Sequence, residues 1–177
     1  MTRFIVLLRG VNVSGKNKLP MQELRDLLKN LDFKNIQTYI QSGNIILDSE
    51  ISKAKTAETI KSAIFSTFGY DVPLIIKTIT ELKKAIDNYP FYKENEKIVA
   101  FTFLEVATDA TEIEIKGIAE DRYNIDKNII YLYCPSGFAR TKLSNNIFEK
   151  KLNVTATTRN LRTTLKLLEL ANQSYDK

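Results

Sequence analysis

The sequence predicts an α+β fold built from two ferredoxin-like (β-α-β-β-α-β) halves with an extra C-terminal helix. Short apolar runs typical of strands alternate with segments whose apolar residues recur at helical spacing, and their order is that of the ferredoxin-like unit. The 177 residues are enough for two small subdomains. The 44% of hydrophobic and 27% of charged residues are ordinary for a folded globular protein. A disordered chain is therefore not expected.

The first half, residues 1–90, begins with an apolar run at residues 4–8 that predicts a buried central strand. We expect Val6 and Leu8 to be almost inaccessible to solvent. After Pro20, which suits the first turn of a helix, apolar residues recur at helical spacing and predict a helix. The other elements expected up to residue 90 are strands at 37–41, 45–47 and 72–77 and helices at 57–68 and 80–89.

The second half, residues 91–177, repeats this order of elements without any repeat in the sequence itself. The segment 88–96 marks the boundary, because it combines a proline with several charged residues between periodic segments. The elements expected in this half are strands at 98–104, 122–125 and 129–134 and helices at 110–119, 144–152 and 159–171.

The composition excludes several kinds of catalysis. The chain has no histidine, so Ser-His-Asp and Cys-His mechanisms cannot be built within it. Its single cysteine, Cys134, allows neither an internal disulfide nor a cysteine metal cluster, and we expect it to be an inert buried thiol. The sequence predicts no metal site and no cofactor. It leaves open whether the protein catalyses a reaction.

The charge balance favours anionic partners mildly. There are 26 Lys and Arg residues against 21 Asp and Glu, a net charge of +5. The apolar run at residues 4–8 is far too short to cross a bilayer, and no cleavage signal follows it. We therefore expect a cytoplasmic protein with no membrane partner. The sequence predicts no particular oligomeric state.

A glycine-rich loop follows the first strand. Residues 10–16 fit the start of a phosphate-binding loop, G-x-x-x-x-G-K, but Asn17 stands where Ser or Thr would bind magnesium. Pro20 also prevents the helix from running on directly from the loop. Two glycines nevertheless allow backbone N–H groups to converge on an anion, with Arg9, Lys16 and Lys18 supplying charge. The alternative is a plain connection with solvated lysines.

The turn at residues 41–44 offers amide and hydroxyl groups. In a β-α-β-β unit the first and third strands are central neighbours, and an antiparallel pairing would bring Asn44 close to Arg9 and Gly10. The alternative is an ordinary tight turn.

Two basic segments lie near the C-terminus, at residues 137–142 and 157–162. In the expected last helix, Arg159, Arg162 and Lys166 share one face. Threonines at its start are suited to cap it, and a helix N-terminus attracts anions. The alternative is a solvated face on a core helix.

These motifs are similar to those of the family called domain of unknown function 1697, mostly small bacterial proteins. The resemblance covers nearly the whole chain and rests on the following segments: residues 8–13 with Gly15, residues 20–24, residues 39–44, Pro135 with Gly137, residues 140–143, and residues 157–160 with Thr163. The family usually has glycine at Ser14, serine at Thr141 and tryptophan at Leu161. The resemblance implies an α+β fold of two related halves and a cytoplasmic bacterial protein, and it implies no activity.

Aromatic residues alternate on two strands of the second half: Phe101, Phe103, Tyr131 and Tyr133. This is also the layout of an RNA-recognition sheet, but the basic-glycine-aromatic pattern of such sheets is missing. We expect an aromatic core.

We expect the protein to bind an anionic small molecule, phosphorylated or nucleotide-like, in a cleft between its halves. The expected binding residues are basic, amide-bearing or glycine residues of the four segments: Arg9, Gly10, Asn12, Gly15, Lys16, Gln41, Asn44, Arg140, Lys142, Arg159 and Asn160. A nucleic-acid-binding module that uses the same basic loops is the first alternative. The second is a protein-interaction domain without a ligand.

Overall fold

The computed structural model of the chain describes residues 1–13 and 15–173. Ser14, one of the departures from the family pattern, lies outside the described residues. The chain divides into two compact units. The first unit is Met1–Leu82 together with the chain from Leu167 onward, and the second is Lys83–Lys166. Each contains a four-stranded antiparallel sheet with helices, so the predicted α+β class is confirmed.

The first sheet has the strand order β2-β3-β1-β4, which is the ferredoxin-like order with β1 in a central position. The elements are β1 (Thr2–Leu8), α1 (Met21–Asn30), β2 (Lys34–Tyr39), β3 (Asn44–Ser49), α2 (Lys53–Phe68), β4 (Leu74–Thr78) and α3 (Ile79–Asp87). Val6 is 0% exposed and Leu8 is 1% exposed, as the apolar run predicts.

One face of the first sheet packs on α1 and α2. Alternate residues of β1, such as Val6 and Leu8, point to this face, because side chains alternate along a strand. They belong to one apolar cluster with Leu24 and Leu28, four residues apart on α1, and with Ile60 of α2. The helical spacing in the sequence therefore matches the face that is buried.

The helices of the first unit begin and end at residues suited to those positions. The hydroxyl of Ser52 accepts the Lys55 N–H at the start of α2, and Gly69 ends that helix at a φ of 75°. At the start of α3, the Glu81 N–H donates to the Thr78 hydroxyl (3.2 Å), and the Thr78 N–H donates to the Glu81 carboxylate (2.7 Å). This reciprocal pair is a capping box, and it allows α3 to follow β4 without a loop.

The second sheet has the order β6-β7-β5-β8 and so repeats the topology of the first. A 3-10 turn at Glu96–Ile98 leads into it. Its elements and the following helix are β5 (Val99–Leu104), β6 (Arg122–Asp126), β7 (Ile129–Tyr133), α4 (Asn145–Leu152), β8 (Ala156–Asn160) and α5 (Leu161–Ala171). The extra C-terminal helix is therefore present.

The helix expected at residues 110–119 is absent, and turns and extended backbone take its place. Ile113 and Ile115 pack on the apolar cluster of the second unit, together with Ile118. The Tyr123 hydroxyl bonds both the N–H and the carbonyl of Ile113. Alternating β-branched residues favour extended backbone, and Gly117 at a φ of 74° turns the chain, so this segment covers the sheet without forming a helix.

The final helix expected at residues 159–171 is in fact a strand followed by a helix. Ala156–Asn160 pairs with β5, and α5 begins only at Leu161. Two adjacent threonines favour this strand. Asn160, rather than a threonine, caps the helix, because its Oδ1 accepts the Thr163 N–H at 2.8 Å.

Three of the four aromatic residues expected to form a core in the second sheet are buried, and the fourth, Tyr133, is half-buried. Phe101, Phe103 and Tyr131 are each at most 1% exposed, and the rings of Phe101 and Tyr131 meet edge to face at 5.2 Å. Burial raises the pKa of Tyr131 to about 12. These rings are therefore core residues and not a stacking surface. No helix in the described part of the chain has both the length and the hydropathy needed to cross a membrane.

Candidate functional site

Asn12 ties the N-terminal loop to the turn that precedes β3. Its Nδ2 donates to the carbonyl oxygens of Leu19 (2.9 Å) and Gln41 (2.8 Å), and its Oδ1 accepts the Leu19 N–H at 2.8 Å. Its φ of 55° lies in the left-handed region, which asparagine tolerates better than most residues. The Asn12 amide therefore bonds the backbone of the protein through both of its polar atoms.

Asn44 stabilises the turn in a similar way. It is fully buried at the start of β3 and pairs with Leu7, and the Leu8 N–H donates to the Gly43 carbonyl at 2.8 Å. The expected closeness of the first and third strands is therefore confirmed. Its Nδ2 donates to the Tyr39 carbonyl (3.1 Å) and to the Ser42 hydroxyl (2.9 Å).

The other N-terminal candidates lie along the same loop and turn. Gly10 and Gly15 have φ values of 70° and 75°, as expected of a glycine-dependent loop. Lys16 and Gln41 are exposed, and Arg9 is half-buried. That these residues hold an anion stays a prediction.

The second unit contains a cavity of about 360 Å³ between β5, β8 and the start of α4. A volume of this size suits a small ligand, since ligand sites span roughly 300–1,000 Å³. The cavity has an apolar floor and a polar rim, lined by Ala100, Leu132, Phe138, Thr141, Leu143, Ser144, Asn145, Thr158 and Asn160.

A chain of hydrogen bonds fixes the orientation of Asn145. The Thr158 hydroxyl donates to Asn145 Oδ1 at 2.6 Å, so Thr158 must accept the proton of Thr102, whose hydroxyl lies 2.7 Å away. Thr102 is fully buried between the neighbouring strands. Asn145 Oδ1 is thereby occupied, while Asn145 Nδ2 has no partner among the described residues.

Asn160, at the start of α5, also has a side-chain oxygen that accepts a hydrogen bond from the protein. Its Oδ1 accepts the Thr163 N–H at 2.8 Å, and its backbone carbonyl accepts the Thr164 hydroxyl at 3.0 Å. Within the described ranges, its Nδ2 likewise has no protein partner. Two carboxamides that line one cavity therefore have engaged oxygens and NH₂ groups that remain available as donors.

Ser144 adds a hydroxyl at the N-terminus of α4. It occupies the N-cap position, but its side chain makes no capping hydrogen bond. The first N–H groups of a helix lack intrahelical partners and attract negative charge. The rim of the cavity is therefore rich in donors.

The predicted cations of this unit are placed differently. Arg140 and Lys142 are exposed and flank Thr141 in the chain, but neither lines the cavity. Arg159 lies in β8, not in a helix, and is only 8% exposed. Its Nη1 donates to the Thr157 hydroxyl (2.8 Å) and the Thr158 carbonyl (2.9 Å). The expectation that Arg159 shares a helix face with Arg162 is therefore wrong.

Cys134 is a core thiol, as the sequence predicts. It is fully buried in the apolar cluster of the second unit. Burial raises the pKa of its thiol to about 11, which disfavours the nucleophilic thiolate at neutral pH.

The chain matches a known family over most of its length. Residues 1–131 match the family described as "Protein of unknown function (DUF1697)". The chain belongs to this family. The resemblance inferred from the motifs is thereby confirmed.

A solved structure has the same fold. This DUF1697 protein is similar to the conserved bacterial protein SP0830 from Streptococcus pneumoniae, with a TM-score of 0.71 and 25% sequence identity. The similarity covers 97% of this chain and 99% of that chain. No curated protein matches the chain.

Sequence reasoning found one residue of the DUF1697 protein's cavity, Asn160, and missed Ser144, Asn145 and Thr158 as site residues. Ser144 and Asn145 lie outside the four predicted segments, and Thr158, which lies within residues 157–162, is neither basic nor amide-bearing. Ser144 followed by Asn145 at a predicted helix start is the signal that points to a helix N-terminus at this place.

Proposed function

We propose that the second unit binds a small ligand through an anionic group, a phosphate or a carboxylate, in the cavity at the start of α4. The observation that carries the proposal is the pair of carboxamides, Asn145 and Asn160. Both oxygens are engaged by the protein, which leaves NH₂ donors at the cavity. Donors without acceptors favour a ligand group that only accepts hydrogen bonds.

Two further features support an anion. The helix α4 begins at the cavity with an N-cap whose side chain makes no capping bond. Arg140 and Lys142 flank the lining residue Thr141 and are exposed, so they raise the local positive potential. The apolar floor, which includes Leu132 and Leu143, provides contact area for the rest of the ligand.

The proposal concerns the second unit alone. The broader expectation of one cleft that also uses the Arg9–Lys16 segment stays a prediction. A nucleic-acid surface is the competing explanation of the basic loops, and the experiment below separates the two because it tests the cavity amides and not the loop charges.

The test is a thermal-shift screen of inorganic phosphate, mononucleotides, sugar phosphates and short carboxylates, since a ligand that binds only the native state raises its melting temperature. The decisive variants are Asn145→Asp and Asn160→Asp. Each keeps the acceptor that Thr158 or Thr163 requires and replaces the NH₂ group with a negative oxygen. We expect each variant to bind the ligand found in the screen at least tenfold more weakly. Asn145→Asp should leave the stability of the fold unchanged or raise it slightly, because negative charge at a helix N-terminus is favourable.

Asn88→Asp is the matched control, because Asn88 is exposed in the same unit and lies outside the cavity lining. We expect its affinity to equal that of the unmodified protein. Equal affinities in all three variants would refute the proposed site. If both cavity variants still bind an unstructured oligonucleotide, with an affinity that falls steeply as the salt concentration rises, the nucleic-acid explanation is favoured.

A further inference from the structure

The second unit has another cavity, of about 510 Å³, beside the segment that replaces its first helix. Its walls include Phe91, Ile118 and Tyr123, and its polar residues include Glu112, Asp121 and Arg122. It shares no lining residue with the cavity at the start of α4.

Asp121 is the unusual residue of this cavity. It is only 3% exposed, although charged side chains are rarely buried without full pairing. Its Oδ1 accepts the Ser136 N–H at 3.0 Å. Among the described residues, Asp121 Oδ2 has no hydrogen-bond or ion-pair partner. Asp121 lines the cavity, and a buried carboxylate oxygen without a partner favours a hydrogen-bond donor beside it.

The neighbouring arginine does not supply that donor. The Arg122 Nη2 donates to Glu94 Oε1 at 2.6 Å, and its guanidinium lies over the Tyr133 ring at 4.4 Å and near the Phe91 ring at 5.5 Å. The bond from Arg122 lowers the pKa of Glu94, which keeps this pair ionised. The positive charge of Arg122 is therefore already paired with the carboxylate of Glu94.

The remaining charge of the cavity is negative. Asp121 and Glu112 both line it, and Glu112 has no ion-pair partner within the described part of the chain. The described residues contain no group of three or more carboxylate, cysteine or histidine side chains that could hold a metal ion. Aromatic and aliphatic walls instead suit an organic cation, whose charge also gains from the faces of aromatic rings.

We propose that this cavity binds a primary alkylammonium group, with Asp121 Oδ2 as the principal acceptor. Glu112 contributes long-range attraction from the exposed rim. The alkyl part of the ligand packs on Phe91 and Ile118. This site is independent of the anion site proposed above.

The test is a titration with n-butylammonium chloride at constant ionic strength, followed through backbone amide NMR signals of residues 111–112 and 121–124. We expect saturable shifts confined to these segments, and we expect none with n-butanol, which has the same alkyl chain without the charge. Shifts with butanol of the same size, or no saturable shifts with n-butylammonium, would overturn the proposal.

Asp121→Asn is the key variant, because its amide oxygen can still accept the Ser136 N–H. We expect it to bind n-butylammonium at least tenfold more weakly, and Glu112→Gln to bind with a smaller loss. Glu114→Gln is the matched control, since Glu114 is a neighbouring exposed carboxylate outside the lining.

Unchanged affinity in Asp121→Asn contradicts the assignment. If Asp121→Asn does not fold, the Glu112→Gln titration and the butanol comparison decide. Phosphate binding in Glu112→Gln should stay unchanged, so failure of one site does not imply failure of the other.

Discussion

Gly43 lies where the turn before β3 passes closest to the loop after β1. Its φ is 73°, and a Cβ atom there would lie 2.6 Å from Val11 Cγ2 and 2.7 Å from Leu8 Cβ. Both neighbours are buried and cannot move aside easily. The glycine is therefore required by backbone conformation and by space together.

We predict that Gly43→Ala lowers the free energy of unfolding by about 2–4 kcal/mol, from left-handed strain and overpacking together. Gly69→Ala is the control, since Gly69 has a φ of 75° but no atom within 4 Å of the added Cβ. It should cost only about 1–2 kcal/mol. Urea denaturation of both variants measures the difference, and equal losses would show that the close approach of Leu8 and Val11 is unimportant.

Lys77 is a buried lysine on β4. It is 4% exposed, and burial lowers its pKa to about 8, partly offset by the charge of Glu81 and reinforced by that of Lys53. Because the folded pKa lies below the unfolded value of 10.5, the charged form destabilises the native state at pH values below 8. Between about pH 8 and 10.5 the unfolded state binds more protons, so stability rises with pH.

We predict that Lys77→Met is more stable than the unmodified protein at pH 7 and that its advantage narrows by up to about 3 kcal/mol as the pH rises to 10.5. Chemical denaturation at several pH values measures this. Lys34→Met, which removes an exposed lysine from strand β2, is the control variant. An advantage of Lys77→Met that grows with pH would contradict the sign of the pKa shift.

At the scale of elements, Arg3 connects β1, β3 and the end of α5. Its Nε and Nη2 form a two-point pair with Asp48 at 2.7 and 2.9 Å. Its Nη1 donates to the carbonyls of Ala171 (3.2 Å) and Gln173 (2.6 Å). Hydrogen bonding from Arg3 lowers the pKa of Asp48, which also accepts from Asn35.

We predict that Arg3→Met destabilises the protein by about 2–4 kcal/mol, because it leaves Asp48 nearly buried without its cation. Amide hydrogen exchange should accelerate most in the last turn of α5. The double variant Arg3→Met/Asp48→Asn should recover part of the loss. Lys29→Met removes an exposed pair with Asp26 and should change stability by less than about 0.5 kcal/mol. A similar effect of Arg3→Met and Lys29→Met would refute the special role of Arg3.

The elements that the sequence predicts best are those whose local pattern agrees with their burial. The run at 4–8 is apolar on both faces because β1 is central, and α1 buries the residues at helical spacing. The missing helix at 110–119 fails for a local reason: Ile113 and Ile115 alternate with charged residues, a spacing typical of extended chain. The strand β8 was not predicted, because its short run of polar residues resembles the capped start of a helix.

The candidate site was less predictable because its free donors are set by hydrogen bonds between residues that are distant in the sequence. Charge and glycine identify Arg140 and the N-terminal loop, but the availability of an amide NH₂ group depends on hydrogen bonds across strands. Thr102 and Asn145 are far apart in the sequence and are connected only through Thr158. No spacing rule reveals such a chain before β5 and β8 are known to pair.

At the scale of the whole molecule, the two units repeat one topology and use asparagine in opposite ways. Both sheets have the same strand order, and each ends in a strand that runs directly into a helix, capped by Thr78 or by Asn160. In the first unit, Asn12 bonds the backbone through both polar atoms of its amide. In the second, Asn145 and Asn160 keep their NH₂ groups available, which locates the proposed anion site there.

The most direct test of that claim is a phosphate titration followed through the side-chain amide ¹⁵N–¹H signals of the asparagines. We predict saturable shifts of the Asn145 and Asn160 NH₂ signals with one common dissociation constant. The Asn172 signal should not move, because its Nδ2 already donates to the Leu168 carbonyl at 2.9 Å. Saturable shifts at Asn12 with none at Asn145 and Asn160, or no saturable shift at any asparagine with phosphate and, in a second titration, with acetate, would contradict the account.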